Sequence, residues 1–180
     1  MEKSITKSKS YVLAITGLMA ALTFIGTYII KIPTPGTGGY IHPGDAFVIL
    51  SGIILGPYYG ALAAGIGSTL SDLIGGYGLY IVPTFVIKAL AALAVAFVYH
   101  YLVTKIRYSQ VKCAISAIFS TIIVALGYFI FEYFVYGEGA IASIPGNIIQ
   151  GISGLIISTI LITAFKSFIL YSKDVKTNNQ

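Results

Sequence analysis

Long apolar runs separated by short breaks rich in proline and glycine dominate the chain. Six are legible: Tyr11 to Ile30, Ala46 to Gly56, Tyr58 to Ile74, Val82 to Leu102, Val111 to Tyr136 and Ile144 to Phe168. Five have the roughly 17–25 residues that a helix needs to cross a bilayer. The second, about 11 residues rising 1.5 Å each, covers only half of a hydrocarbon core, so it must be short, oblique or continuous with loop backbone packed inside the protein. Pro33, Pro35 and Pro43 follow the first run, Gly56-Pro57 separates the second from the third, and Pro83 and Pro145 open the fourth and sixth. These are the places where proline and glycine punctuate helices. No internal repeat is visible, and runs one to three do not resemble four to six, which argues against the inverted-repeat design of many secondary transporters.

Composition turns this pattern into a class. Hydrophobic residues make up 57% of the 180 residues and charged residues 9%, against about 25% charged in a soluble domain. The expectation is an all-α membrane protein, a six-transmembrane-helix bundle spanning residues 11–171 with short tails at 1–10 and 172–180. The run after the basic N-terminal segment is too long for a signal-peptide core and lacks a small-residue cleavage site, so it reads as a retained first helix.

The net charge of +5 gains meaning on that topology. Lys3, Lys7, Lys9, Lys105, Arg107, Lys112, Lys166, Lys173 and Lys176 all fall on one side of six crossings, which the positive-inside rule makes the cytoplasm. Both termini are then cytoplasmic, the protein sits multi-pass in a bacterial-type plasma membrane, and the charge calls for no nucleic-acid partner. The opposite side carries the long Lys31–Asp45 loop and shorter loops at Gly75–Ile81 and Gly137–Ser143. Loops held by a rigid scaffold are where binding residues concentrate.

Ionisable groups inside the apolar runs cost a few kcal/mol each and therefore require a reason. Lys88 lies in the fourth run, either snorkelling outward or facing the interior to pair with Glu132 or Asp72 or to meet a ligand. Glu132 shares a helix face with Tyr128 and Tyr136, either as a solvated carboxylate in an interfacial aromatic belt or as a carboxylate between aromatic rings that meets a small heteroaromatic ligand. Asn147, Gly151, Gly154 and Ser158 form one face of the sixth run with Gln150 beside it; the glycines serve close packing, while the amides need partners inside the bundle. Asp72 suits a cap on the Gly75-Gly76 turn or a pair with Lys88, and Asp45, after Pro43-Gly44, suits an N-cap.

His42 and His100 lie on opposite sides, so no two-histidine metal site is expected. Cys113 alone makes no internal disulfide and reads as a buried or interfacial thiol. No nucleophile elbow, phosphate loop or metal-ligand spacing occurs, so neither an enzyme nor a cofactor is expected. Ala14, Gly17 and Ala21 form a small-residue face on the first helix, with Thr16, Ala20 and Thr23 alongside. That face suits close packing of a neighbour, by default within the chain, otherwise in another protein.

The stretch from His42 to Lys88 resembles the substrate-binding S components of energy-coupling factor (ECF) vitamin transporters. The resemblance rests on His42-Pro43-Gly44-Asp45-Ala46, Gly52, Leu55-Gly56-Pro57, Gly60-Ala61-Leu62, Gly65 to Asp72, Tyr80, Pro83 and Phe85-Val86-Ile87-Lys88. It implies a subunit that binds one vitamin from outside and docks against a scaffold membrane subunit driven by two cytoplasmic ATPases. It implies a docking face at Ala14, Gly17 and Ala21. The implied pocket is built from Lys88, Glu132, Tyr128, Asn147 and Gln150, with Tyr80, His42 and Asp72 as further contacts. The substrate it favours is pyridoxine or a hydroxymethylpyrimidine, with pantothenate or riboflavin as other candidates. The competing reading is a self-sufficient secondary transporter or channel for a small polar solute.

Overall fold

The computed structural model describes residues 9–34 and 36–169. The two tails beyond residues 9 and 169, with Lys3, Lys7, Lys173 and Lys176, and Pro35 lie outside the described residues.

The chain is almost entirely helical. Among the described residues five α-helices follow one another: α1 (Lys9–Tyr28), α2 (Asp45–Gly75), α3 (Ile81–Phe97), α4 (Ser109–Tyr136) and α5 (Ile144–Phe165). Two short strands, β1 (Ile32–Pro33) and β2 (Tyr40–Ile41), form an antiparallel hairpin between α1 and α2 with Ile32 opposite Ile41. Four helical stretches are long and apolar enough to cross a membrane: Lys9–Tyr28, Asp45–Gly75, Gly78–Leu102 and Ser109–Phe165. The last holds both α4 and α5, which pack against each other across the tight 3₁₀ stretch Gly137–Ser143. Leucines, isoleucines and valines such as Leu13, Leu90, Ile122, Ile152 and Ile160 stand exposed around the bundle. In water such a girdle is a liability, but hydrocarbon is its natural solvent.

The expected second and third helices are the two limbs of α2, which meet at a sharp kink at Gly56. There φ is +77° and ψ −170°, a conformation open essentially to glycine alone. Pro57 follows and can restart a helix because its missing N–H falls where no partner is needed. The first limb is central to the bundle. From Val48 to Gly56 every residue is buried, which explains why this run is apolar on all sides instead of amphipathic.

Helix α2 packs against α1, α3 and α5, and two of its glycines set how closely. A Cβ on Gly67 would run into the Ala20 carbonyl and the Thr23 side chain of α1, and one on Gly52 into the Ala92 carbonyl of α3. On α1, Ile15, Met19, Thr23 and Thr27 are buried at four-residue spacing, the inward stripe of a helix. The expectation that Ala14, Gly17 and Ala21 pack by default within the chain is corrected. All three are exposed, and a Cβ on Gly17 would meet nothing within 4 Å. It is the neighbouring Ala20–Thr23 side that takes α2.

At the end of the bundle away from the hairpin, Ile49, Ile53, Ile54, Val95 and Ile162 make an apolar core. At the hairpin end the interior turns polar.

Candidate functional site

The polar interior begins at the first turn of α2. Asp45 is buried, and its carboxylate is ion-paired with the fully buried ammonium of Lys88 on α3. Its other oxygen accepts a hydrogen bond from Gln150 Nε2 of α5 at 3.1 Å. Gln150 Oε1 in turn accepts the His42 backbone N–H at 3.0 Å. Lys88 Nζ also lies 5.3 Å from the centre of the Tyr128 ring. This cluster ties the hairpin exit to α2, α3, α4 and α5. Two expectations are corrected by it. Lys88 pairs with neither Glu132 nor Asp72, because the first limb of α2 carries Asp45 against α3. Asp45 makes no side-chain cap, because its carboxylate turns inward to the lysine, and Gly44 stands at the cap position.

Beside this cluster is a cavity of about 350 Å³, counting its open mouth. On one wall Glu132 of α4 accepts the Tyr80 hydroxyl at 2.9 Å and the Ser143 hydroxyl. Tyr128 and Thr84 share a hydrogen bond of 2.9 Å, and Tyr80 packs edge-on to Phe131. Also lining the cavity, the Tyr40 hydroxyl of β2 donates to Asp72 Oδ1 at 2.6 Å. The side chain of Asp72 therefore neither caps the Gly75-Gly76 turn nor meets Lys88. That turn is closed by the Asp72 backbone carbonyl, which accepts the N–H groups of Gly76 and Tyr77, with Gly76 left-handed as a helix C-terminus commonly requires. Burial and the negative charge of Asp72 push the Tyr40 phenol well above its ordinary pKa.

The hairpin lies over this space. A Cβ on Gly39 would stand 3.0 Å from Glu132 Oε1 and 3.2 Å from the Tyr80 hydroxyl, so any side chain there would press on both groups and require them to give by a few tenths of an ångström. Lys31 anchors the hairpin's first arm. Its ammonium sits 4.6–4.8 Å from the ring centres of Tyr28, Tyr40 and Tyr77 and donates to the Ser71 carbonyl at 3.2 Å. Burial lowers its pKa, opposed by the charge of Asp72. Buried His42 accepts the Gly44 N–H on Nδ1 at 3.1 Å, which leaves its proton on Nε2. Burial, reinforced by the nearby charge of Lys88, pushes its pKa down to about 3, so the ring is neutral.

Six of the eight expected binding residues, His42, Asp72, Tyr80, Tyr128, Glu132 and Asn147, line this one cavity. Lys88 and Gln150 do not; they stand in the cluster beside it. Thr27, Thr34, Gly39, Tyr40 and Thr84 also line the cavity and were not singled out from sequence. Thr84 lies one helical turn before Lys88 and Tyr40 two strand positions before His42, spacings that could have drawn them in. Thr27 carried no such signal.

Residues 7–167 match the family described as "ECF-type riboflavin transporter, S component". The chain belongs to this family. A Pyrococcus woesei protein named "Uncharacterized protein in gap 3'region" is 32% identical over 134 residues, covering 74% of this chain and 86% of that relative. The fold is similar, at a TM-score of 0.66 and 22% identity, to a structure described as "Structure and mechanism of the S component of a bacterial ECF transporter"; the alignment covers 91% of this chain and 100% of the other. As an ECF S component, the chain is an integral membrane protein and the vitamin-binding, substrate-specific subunit of a transporter that works with an ECF module. Its family is a transport family, not an enzyme family, and does not favour a self-sufficient transporter or channel.

Proposed function

We propose that the cavity beneath the hairpin captures a small hydroxylated heteroaromatic vitamin from the outer side and that the chain delivers it inward as the S component of an ATP-driven importer. The observation that carries this reading is convergence. Side chains from α1, the hairpin and all four later helices meet in one space, with tyrosine rings to hold a planar ligand and carboxylates to orient it. Riboflavin is the candidate named in the family's description. Pyridoxine or a hydroxymethylpyrimidine, favoured by the resemblance over His42 to Lys88, is the second.

In this reading the chain crosses the membrane six times, the two limbs of α2 counting separately, within residues 11–171. The tails 1–10 and 172–180 are cytoplasmic. The exposed face of Ala14, Gly17 and Ala21 docks on the ECF scaffold subunit, which carries two ATPases. A helix face without side-chain bulk allows another helix to approach closely inside lipid. Mass spectrometry of the small molecules that co-purify with the protein tests the reading: a vitamin at near-equal stoichiometry is expected. A preparation that carries none and binds none of the named vitamins in calorimetry rejects it.

A further inference from the structure

The cavity lining carries two carboxylates and, among the described residues, no cation paired with either. Asp72 and Glu132 both line it, each only 2% exposed, and no lysine or arginine is among the described residues lining it. The two nearest lysines make their direct contacts elsewhere, Lys88 with Asp45 and Lys31 with the Ser71 carbonyl and three tyrosine rings, and act on Asp72 only through space. His42, the remaining basic side chain on the wall, is neutral.

The two carboxylates differ in what they still need. Both oxygens of Glu132 already accept hydroxyls. Asp72 has only Oδ1 in a well-formed hydrogen bond; Oδ2 is buried and has no partner of hydrogen-bonding geometry among the described residues, with the Thr84 hydroxyl standing near the carboxylate, and Thr27 Oγ1, which also lines the cavity, is likewise without one. Leaving a buried carboxylate oxygen unsatisfied is costly. A ligand donor reaching Asp72 Oδ2 removes that cost, whereas an anionic group placed there adds like-charge repulsion in a weakly screened site.

We propose that Asp72 Oδ2 and Thr27 Oγ1 are ligand contacts and that the site selects by charge, accepting a neutral or cationic, donor-bearing vitamin and rejecting its phosphorylated form or any carboxylated ligand. Pantothenate, whose carboxylate would face Asp72 and Glu132, is thereby excluded from the candidates. The inference rests on the vitamin-binding reading above and narrows it.

The test is calorimetry on the full chain in nanodiscs with matched pairs, riboflavin against riboflavin 5′-phosphate and pyridoxine against pyridoxine 5′-phosphate, and with pantothenate. The unphosphorylated member of one pair is expected to bind at least 100-fold more tightly than its ester, and pantothenate not at all. Asp72→Asn, which keeps an acceptor for Tyr40, should narrow the ratio at least tenfold. That narrowing separates charge from bulk, because the ester is equally large in both proteins. Thr27→Val should weaken the unphosphorylated vitamin several-fold, and Glu132→Gln provides a second neutralising variant if Asp72→Asn does not fold. An ester within tenfold of its parent, or binding of pantothenate, overturns charge selection while leaving vitamin binding intact. Unchanged affinities and ratio in folded Asp72→Asn and Thr27→Val overturn the contact assignment. No binding of any probe removes the vitamin reading and this inference with it.

Discussion

At the cluster beside the cavity, Asp45 has its charge matched by Lys88 and its second oxygen held by Gln150; on the cavity wall, Asp72 has a phenol on one oxygen and, among the described residues, no partner of hydrogen-bonding geometry on the other. The two aspartates are equally buried in the same bundle. The difference is between a charge that is internally complete and so fixes structure, and one whose remaining capacity faces a cavity. A buried ion pair joining helices is weak evidence for net stability, but its one-sided removal leaves an uncompensated charge. An unfinished buried carboxylate is instead a place for a partner from outside the chain.

The strongest way to break this contrast is Lys88→Met. It should destabilise the fold by about 3–5 kcal/mol, because Asp45 is left buried and unpaired, seen as a large drop in the thermal midpoint in detergent. Adding Asp45→Asn should recover most of the loss. A Lys88→Met protein of ordinary stability but weakened vitamin binding would move Lys88 from the structural cluster to the ligand.

A second contrast separates the two sides of α1. Gly67→Leu on α2 should overpack the α1 contact and cost about 1–3 kcal/mol, since its side chain meets the Ala20 carbonyl. Gly17→Leu meets open space and should leave thermal stability and vitamin binding unchanged while abolishing co-purification with the ECF scaffold subunit. Retained complex formation would place the docking face elsewhere.

The smallest expected effect is a pH dependence. His42 is neutral in the fold with its pKa near 3, whereas the unfolded chain protonates it near 6.5. Between those values the unfolded state binds the extra proton. The contribution of His42 to stability is therefore fully present above pH 6.5 and falls by about 1.4 kcal/mol per pH unit below it. Unfolding measured at pH 7.5 and 5.5 should show this slope, and His42→Asn should flatten it.

Much of the candidate site was legible because charge and amide groups in apolar runs are conspicuous. Glu132, Asp72 and Asn147 stood out for that reason alone, and Tyr128 through its spacing from Glu132. Thr27 and Thr84 did not, because a threonine in a membrane helix is ordinary until its neighbours are known. The partner of Lys88 is hidden in the sequence for a related reason. Asp45 beside Pro43-Gly44 looks like a cap, and a local role for a helix-initiating aspartate is the common one.

By itself the sequence determined the membrane class, the helical runs, the break at Gly56-Pro57 and which buried charges required an explanation, because hydropathy, proline and glycine act locally. The tertiary structure alone decided who meets whom. Asp45 and Lys88 are 43 positions apart and His42 and Gln150 108, and their contacts depend on which helix faces turn toward each other. The same packing left Asp72 half satisfied and turned Gly17 outward, since side-chain partners in a bundle are set by the relative rotation of helices that no local pattern encodes.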